Sequence, residues 1–178
     1  MDEIEVFGFP VPDSGPLFFT ALAFHIVAGL TCVACGPGAA LSRKGAVGHR
    51  RFGRIYLWSL GVVFASMTVL SVIRWRENAH LFAIGSFAFT VGLIGYLNRR
   101  RQPYLHVTGM GLSYVALLTG FYVDNGANLP LWDRLPTWSY WVLPSLIGLP
   151  LIFRAVMRRT GGPRGLPSFR RPRRRCSS

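Results

Sequence analysis

The sequence predicts an all-α membrane protein: a five-helix transmembrane bundle with its N-terminus outside and its C-terminus in the cytoplasm. Three observations lead there. Five apolar runs have spanning length, cations crowd alternate connections, and aromatic rings gather at the run boundaries. The 178 residues are 51% hydrophobic with a positive mean hydropathy, which suits one membrane domain better than a soluble basic protein.

The runs are Leu17–Cys35, Ile55–Ile73, Leu81–Leu97, Leu105–Val123 and Tyr140–Met157. A helix needs about 20 residues to cross the hydrocarbon core, with a range of about 17–25. No run carries the polar face of a soluble amphipathic helix. The fifth is the least regular, with Pro144, Pro150 and Arg154, the last close enough to its end to snorkel to the interface.

The charges set the orientation. Five cations lie in segment 42–54, three in 98–104 and nine from Arg154 onward, so seventeen of the twenty fall on alternate connections. The opposite side has Arg74, Arg76 and Arg134 with all seven acidic residues, Asp2, Glu3, Glu5, Asp13, Glu77, Asp124 and Asp133. Cation excess marks the cytoplasmic side. A net charge of +13 raises nucleic acid as a partner, but this placement argues against it. The arginines of "SRKGAVGHRRFGRIYLW" (42–58) instead hold orientation and meet anionic lipid head groups. Aromatic residues mark both boundaries: Trp75, Trp132, Trp138, Tyr140 and Trp141 outside, Tyr56, Trp58, Tyr96 and Tyr104 inside.

The elements follow in order. Residues 1–16 form a short acidic extracytoplasmic tail without the basic start of a secretory signal. Gly36-Pro37-Gly38 is expected to end helix 1 sharply. The connection before Tyr104 is short, which makes helices 3 and 4 antiparallel neighbours. Asp124–Trp138 is a turn-rich outer loop, and 158–178 is a basic cytoplasmic tail, rich in Arg, Pro, Gly and Ser, expected to be disordered and drawn to anionic lipid. Glycines within the spans let helices approach closely, as packing in lipid requires.

Cys32 and Cys35 form a C-x-x-C at the cytoplasmic end of helix 1, where the dipole opposes a lowered thiol pKa. Two small packing residues explain the pair better than a redox site does, and no structural disulfide is expected. No nucleophile elbow, phosphate loop or H-E-x-x-H motif is present, and no acidic residue lies within a span, so nothing demands an enzyme.

The chemistry rests on histidines. An ionisable group within a span is a functional candidate by default, and two on neighbouring helices at equal depth can ligate a b-type haem. His106 sits about 1.5 Å inside the cytoplasmic edge and His49 about 9 Å outside it, a mismatch that boundary error can halve. They form the candidate haem pair, with Arg50 and Arg51 available for propionates or for lipid phosphates. The outer pair, His25 and His80, is separated too far in depth. A second constellation lies near the midplane: His25, Ser66 and Tyr114 about 13–16 Å from the inner edge and Thr90 about 13 Å from the outer one. If they face inward they line a ligand, quinone or proton pocket. The alternative is a neutral interhelical hydrogen bond from His25.

Two stretches, "HRRFGRIYLW" (His49, Arg50, Gly53, Arg54, Tyr56) and "HVTGMGLSY" (His106, Met110, Ser113, Tyr114), resemble an uncharacterised bacterial family of small predicted four-helix membrane proteins. The likeness covers roughly Phe24–Val123. It implies a membrane bundle with no assigned activity, and its plan is similar to four-helix b-type cytochromes. This chain departs from the family by a fifth helix, "YWVLPSLIGLPLIFRAVMRR", and the loop before it. The sequence thus points to a multi-pass protein of the inner membrane. It either binds haem or a small ligand, or serves as a non-catalytic accessory, assembly or regulatory component. A homo-oligomer or another membrane protein is the expected partner beyond lipid.

Overall fold

Helix limits here follow backbone chemistry, and the apolar runs mark only the lipid-facing part of each. A computed structural model describes residues 3–6, 9–12, 15–130 and 134–160. Its helices are α1 (Gly15–Leu41), α2 (Val47–Ile73), α3 (Trp75–Leu97), α4 (Pro103–Asn125) and α5 (Trp138–Thr160), with a short 3-10 turn at Gly126–Asn128. Most of the basic tail expected over 158–178, together with Trp132 and Asp133, lies outside the described residues.

The N-terminal segment is not the plain tail expected. It holds an antiparallel hairpin, β1 (Glu3–Val6) with β2 (Phe9–Pro12), in the register Glu3 opposite Pro12 and Val6 opposite Phe9. Glu-Ile-Glu-Val alternates with period two, a strand signal that the reading by charge passed over.

α1 also departs from expectation, because it runs through Gly36-Pro37-Gly38 to Leu41. Pro37 therefore lies inside the helix, where it has no N–H for the carbonyl of Val33. That carbonyl would be costly to leave bare in lipid. Tyr114 of α4 supplies the missing donor: its hydroxyl lies 3.2 Å from Val33 O. Gly36 makes room, since a Cβ there would collide with the Tyr114 ring. The proline thus stays in the helix because a neighbour replaces its hydrogen bond.

α2 begins eight residues before the apolar run, so the basic segment 47–54 is helical. α2 and α3 meet at a tight turn on Arg74, whose N–H donates to Leu70 O at 3.0 Å, while Asn78 Nδ2 donates to the same oxygen at 3.2 Å. The Arg74–Glu77 pair at 3.3 Å is on the surface and adds little.

Packing explains the small residues. α1 lies on α2, α2 on α3 and α3 on α4, and α4 returns to α1 through Tyr114; α5 lies outside this ring, against α4. α3 and α4 touch backbone to backbone: a Cβ on Gly109 would stand 2.6 Å from Val91 O and 2.8 Å from Gly95 Cα. α5 docks where Ile152 covers Gly111 and Val115 meets Gly148. The core joins Cys32 and Cys35 of α1, Tyr56 and Leu60 of α2, Ala88 of α3 and Ala116 of α4.

Four helices are long and apolar enough to cross a membrane: Gly15–Leu41, Val47–Ile73, Trp75–Leu97 and Trp138–Arg158. α4, expected as the fourth of five spans, falls short in apolarity although it matches α3 in length at 23 residues. It packs against α1, α3 and α5, so glycines, Ser113 and Thr119 face protein where another helix shows apolar chains to its surroundings. Elsewhere large apolar side chains stand exposed, among them Phe24, Val27, Leu30, Leu146, Ile147 and Phe153. A surface this apolar suits lipid, not water. Tyr56 and Tyr140, expected at the boundaries, are buried among the helices at 2% and 4% exposure.

Candidate functional site

The bundle carries its polar side chains in three layers, set by the register of α1. His25 lies eight residues from Val33 and Val33 six from Ala39, so the layers are roughly 9–12 Å apart.

The inner layer is built from helix ends. The last four carbonyls of a helix have no intrahelical partner. At the end of α1, Gly38 O accepts from Ser42, through both its N–H and its hydroxyl, and Ala39 O accepts from His49 Nδ1 at 2.8 Å. At the end of α3, Ile94 O and Tyr96 O accept from Asn98 and Arg99, and Gly95 O accepts from His106 Nδ1 at 3.0 Å. His49 is the third residue of α2 and His106 the fourth of α4, so each reaches back to the helix before it. Two helical hairpins are fastened by the same device.

The two fastenings meet. The rings of His49 and His106 lie 6.1 Å apart, edge to face at 89°. A carbonyl only accepts, so Nδ1 carries the proton in both rings, and in the neutral form Nε2 holds the lone pair. A backbone carbonyl on the second nitrogen is the usual support of a metal-ligating histidine. One turn along α2 from His49, Gly53 has nothing within 4 Å of where a Cβ would be. That leaves room for a flat group on the same face. The depth mismatch read from the sequence disappears because both histidines belong to first turns of helices that extend beyond the apolar runs.

The middle layer is closed. Ser113 donates to Met110 O at 2.8 Å, so the Tyr56 hydroxyl, 2.9 Å away, donates to Ser113. The fully buried Cys32 thiol points at Tyr56 O at 3.6 Å, and Cys35 is also a buried free thiol. Tyr114 lies beside them, its ring 6.2 Å from that of Tyr56. No group of three or more His, Cys, Asp or Glu able to hold a metal ion occurs among the described residues.

The outer layer is a single pair. Ser66 donates to Val62 O at 2.8 Å or Val63 O at 3.0 Å, so the 3.1 Å contact with His25 Nδ1 has the histidine as donor. Of the four residues expected near the midplane, these two come together. Tyr114 is engaged about 12 Å further in, at Val33. Thr90 is exposed on α3 and turned away from the pair. Thr90 is also level with the middle layer, since Ala88 and Gly92 on either side of it pack against the Cys32–Tyr56 cluster and Ser113.

Sequence reasoning missed Tyr56 and Ser113 as partners and the two carbonyls that hold the histidines. Pro37 was the available signal for Tyr114, because a proline within a span implies an orphan carbonyl four residues earlier. No protein-family model matches this chain, and neither do the curated proteins or the solved structures.

Proposed function

We propose that this chain is a multi-pass protein of the inner membrane, crossing five times with its N-terminus outside, and that His49 and His106 together bind one planar cofactor of the b-type haem class. The observation that carries the cofactor reading is the pairing of two imidazoles at 6.1 Å, each with Nδ1 committed to a backbone carbonyl. Five crossings follow if α4, enclosed by its neighbours, crosses with the other four. Orientation rests on the cations of segments 42–54 and 98–104 facing the cytoplasm and its anionic lipids.

The residues fit such a group in three ways. The lone pairs reside on Nε2, the backbone carbonyls hold both rings in place, and Arg50, Arg51 and Arg54 lie on the same helix as His49 to neutralise carboxylates. Bound haem supplies one-electron redox chemistry, with its potential tuned by these ligands. The chain's own work is to hold two neutral imidazoles still and to surround them with apolar helices.

A second reading has an observation of its own. Both histidines already close helical hairpins, which suffices for an accessory or assembly protein that binds no cofactor. Visible absorbance of the detergent-purified protein separates the two. A Soret band that is lost in both His49→Ala and His106→Ala variants supports the cofactor. A colourless wild-type protein with full helicity leaves the accessory role.

A further inference from the structure

We propose that His25 is the floor of a second, independent site in the outer half of the bundle, which takes a lipophilic ligand with a hydroxylated aromatic head group, of the quinol class. This goes beyond the His49–His106 reading and does not rest on it.

Ser66 has one hydroxyl proton; Val62 O, at 2.8 Å, claims it, and the Val63 backbone pairs with His25 as well. Ser66 can therefore only accept from His25, whose Nδ1 carries the proton. The neutral ring then has its lone pair on Nε2, and the site presents an acceptor. A ligand that donates is matched to it; an anion or a bare carbonyl is not.

Space and depth define the rest of the ligand. His25 is half-buried, with Gly29 one turn further along the same face of α1, and a Cβ on Gly29 would have nothing within 4 Å. A flat ring has room there beside the imidazole. α1 joins α4 at Tyr114 and Gly36, deeper in the bundle than His25. Outward of the histidine, the buried cluster Phe18, Ala21 and Leu70 ties α1 to α2 instead. The depth, about 15 Å along an apolar helix from its start, selects a head group that arrives through lipid with an alkyl tail. An intramembrane histidine held by a serine on a neighbouring helix fits this role.

The test uses the full chain in lipid nanodiscs and two probes, decylubiquinol and its di-O-methyl ether, with binding read by tryptophan fluorescence. The quinol binds about tenfold more tightly than the ether, as expected when one hydrogen bond to a partly buried acceptor is made or lost. His25→Asn keeps a donor at the Nδ1 position for Ser66 but has no Nε2, so it loses that preference while retaining wild-type helicity. His106→Ala leaves quinol binding at the wild-type level. Equal binding of quinol and ether, an unchanged preference in His25→Asn, no binding of either probe, or quinol binding lost in His106→Ala would each overturn the proposal.

Discussion

The orphan carbonyl on α1 makes the strongest quantitative test of the packing account. Tyr114→Phe removes one hydroxyl, 3.2 Å from Val33 O, and leaves that carbonyl without a donor because residue 37 is proline. In a soluble core an unsatisfied group of this kind costs about 1–3 kcal/mol. Interhelical hydrogen bonds in membranes average about 0.6 kcal/mol and reach about 1.7. The O···O distance is longer than the usual 2.7–2.8 Å, which places this bond toward the weaker end. The expected loss is therefore about 0.6–1 kcal/mol. In a Pro37→Ala background the alanine N–H restores the ordinary helical bond to Val33 O. There Tyr114→Phe should cost almost nothing. Reversible unfolding in mixed micelles, followed by circular dichroism, measures the four corners of this double-mutant cycle. An equal penalty in both backgrounds refutes the idea that Tyr114 completes the hydrogen bonding of α1.

Other outcomes follow from single contacts. Gly109→Ala drives a methyl into Val91 O and the Gly95 backbone, so α3 and α4 must part; it should cost about 2 kcal/mol or more, and a melting point within a degree of wild type would contradict the close approach. Ser113→Ala leaves the buried Tyr56 hydroxyl without its acceptor, at about 1–2 kcal/mol, whereas Tyr56→Phe together with Ser113→Ala should recover part of that loss in the same unfolding assay. Thr90→Leu, on an exposed face, should change stability by no more than about 0.5 kcal/mol; a larger loss would place Thr90 inside a site after all.

How much of this was readable from the sequence depends on the physical quantity. Apolar run length located five helices, yet every helix begins before its run, and polar and charged residues extend α2 by eight residues and α3 by six. Depth was recovered well enough to pair His49 with His106 and to put His25 level with Ser66. Direction was not. A span apolar on all sides carries little information about which way it faces, so the exposed Thr90 could not be told from His25, which reaches Ser66 on the neighbouring helix. Tyr56 was read only by its place near a run boundary, and its burial as the most interior aromatic of α2 was not legible from that. Gly36-Pro37-Gly38 looked like a helix end because local rules see only the proline. The tyrosine that compensates for it is 77 residues further along the chain.

The central claim is an odd number of crossings, with the paired histidines near the cytoplasmic face. Cysteine accessibility in intact cells tests it most directly, with Cys176 replaced by serine and Cys32 and Cys35 already buried. Lys44→Cys reports the α1–α2 connection, where Gly45, with φ 81°, is best left unchanged, and Ala127→Cys reports the exposed turn after α4. Position 127 should react with a membrane-impermeant maleimide while position 44 reacts only after the cells are opened. Labelling of both from the same side, or the reverse pattern, contradicts the account.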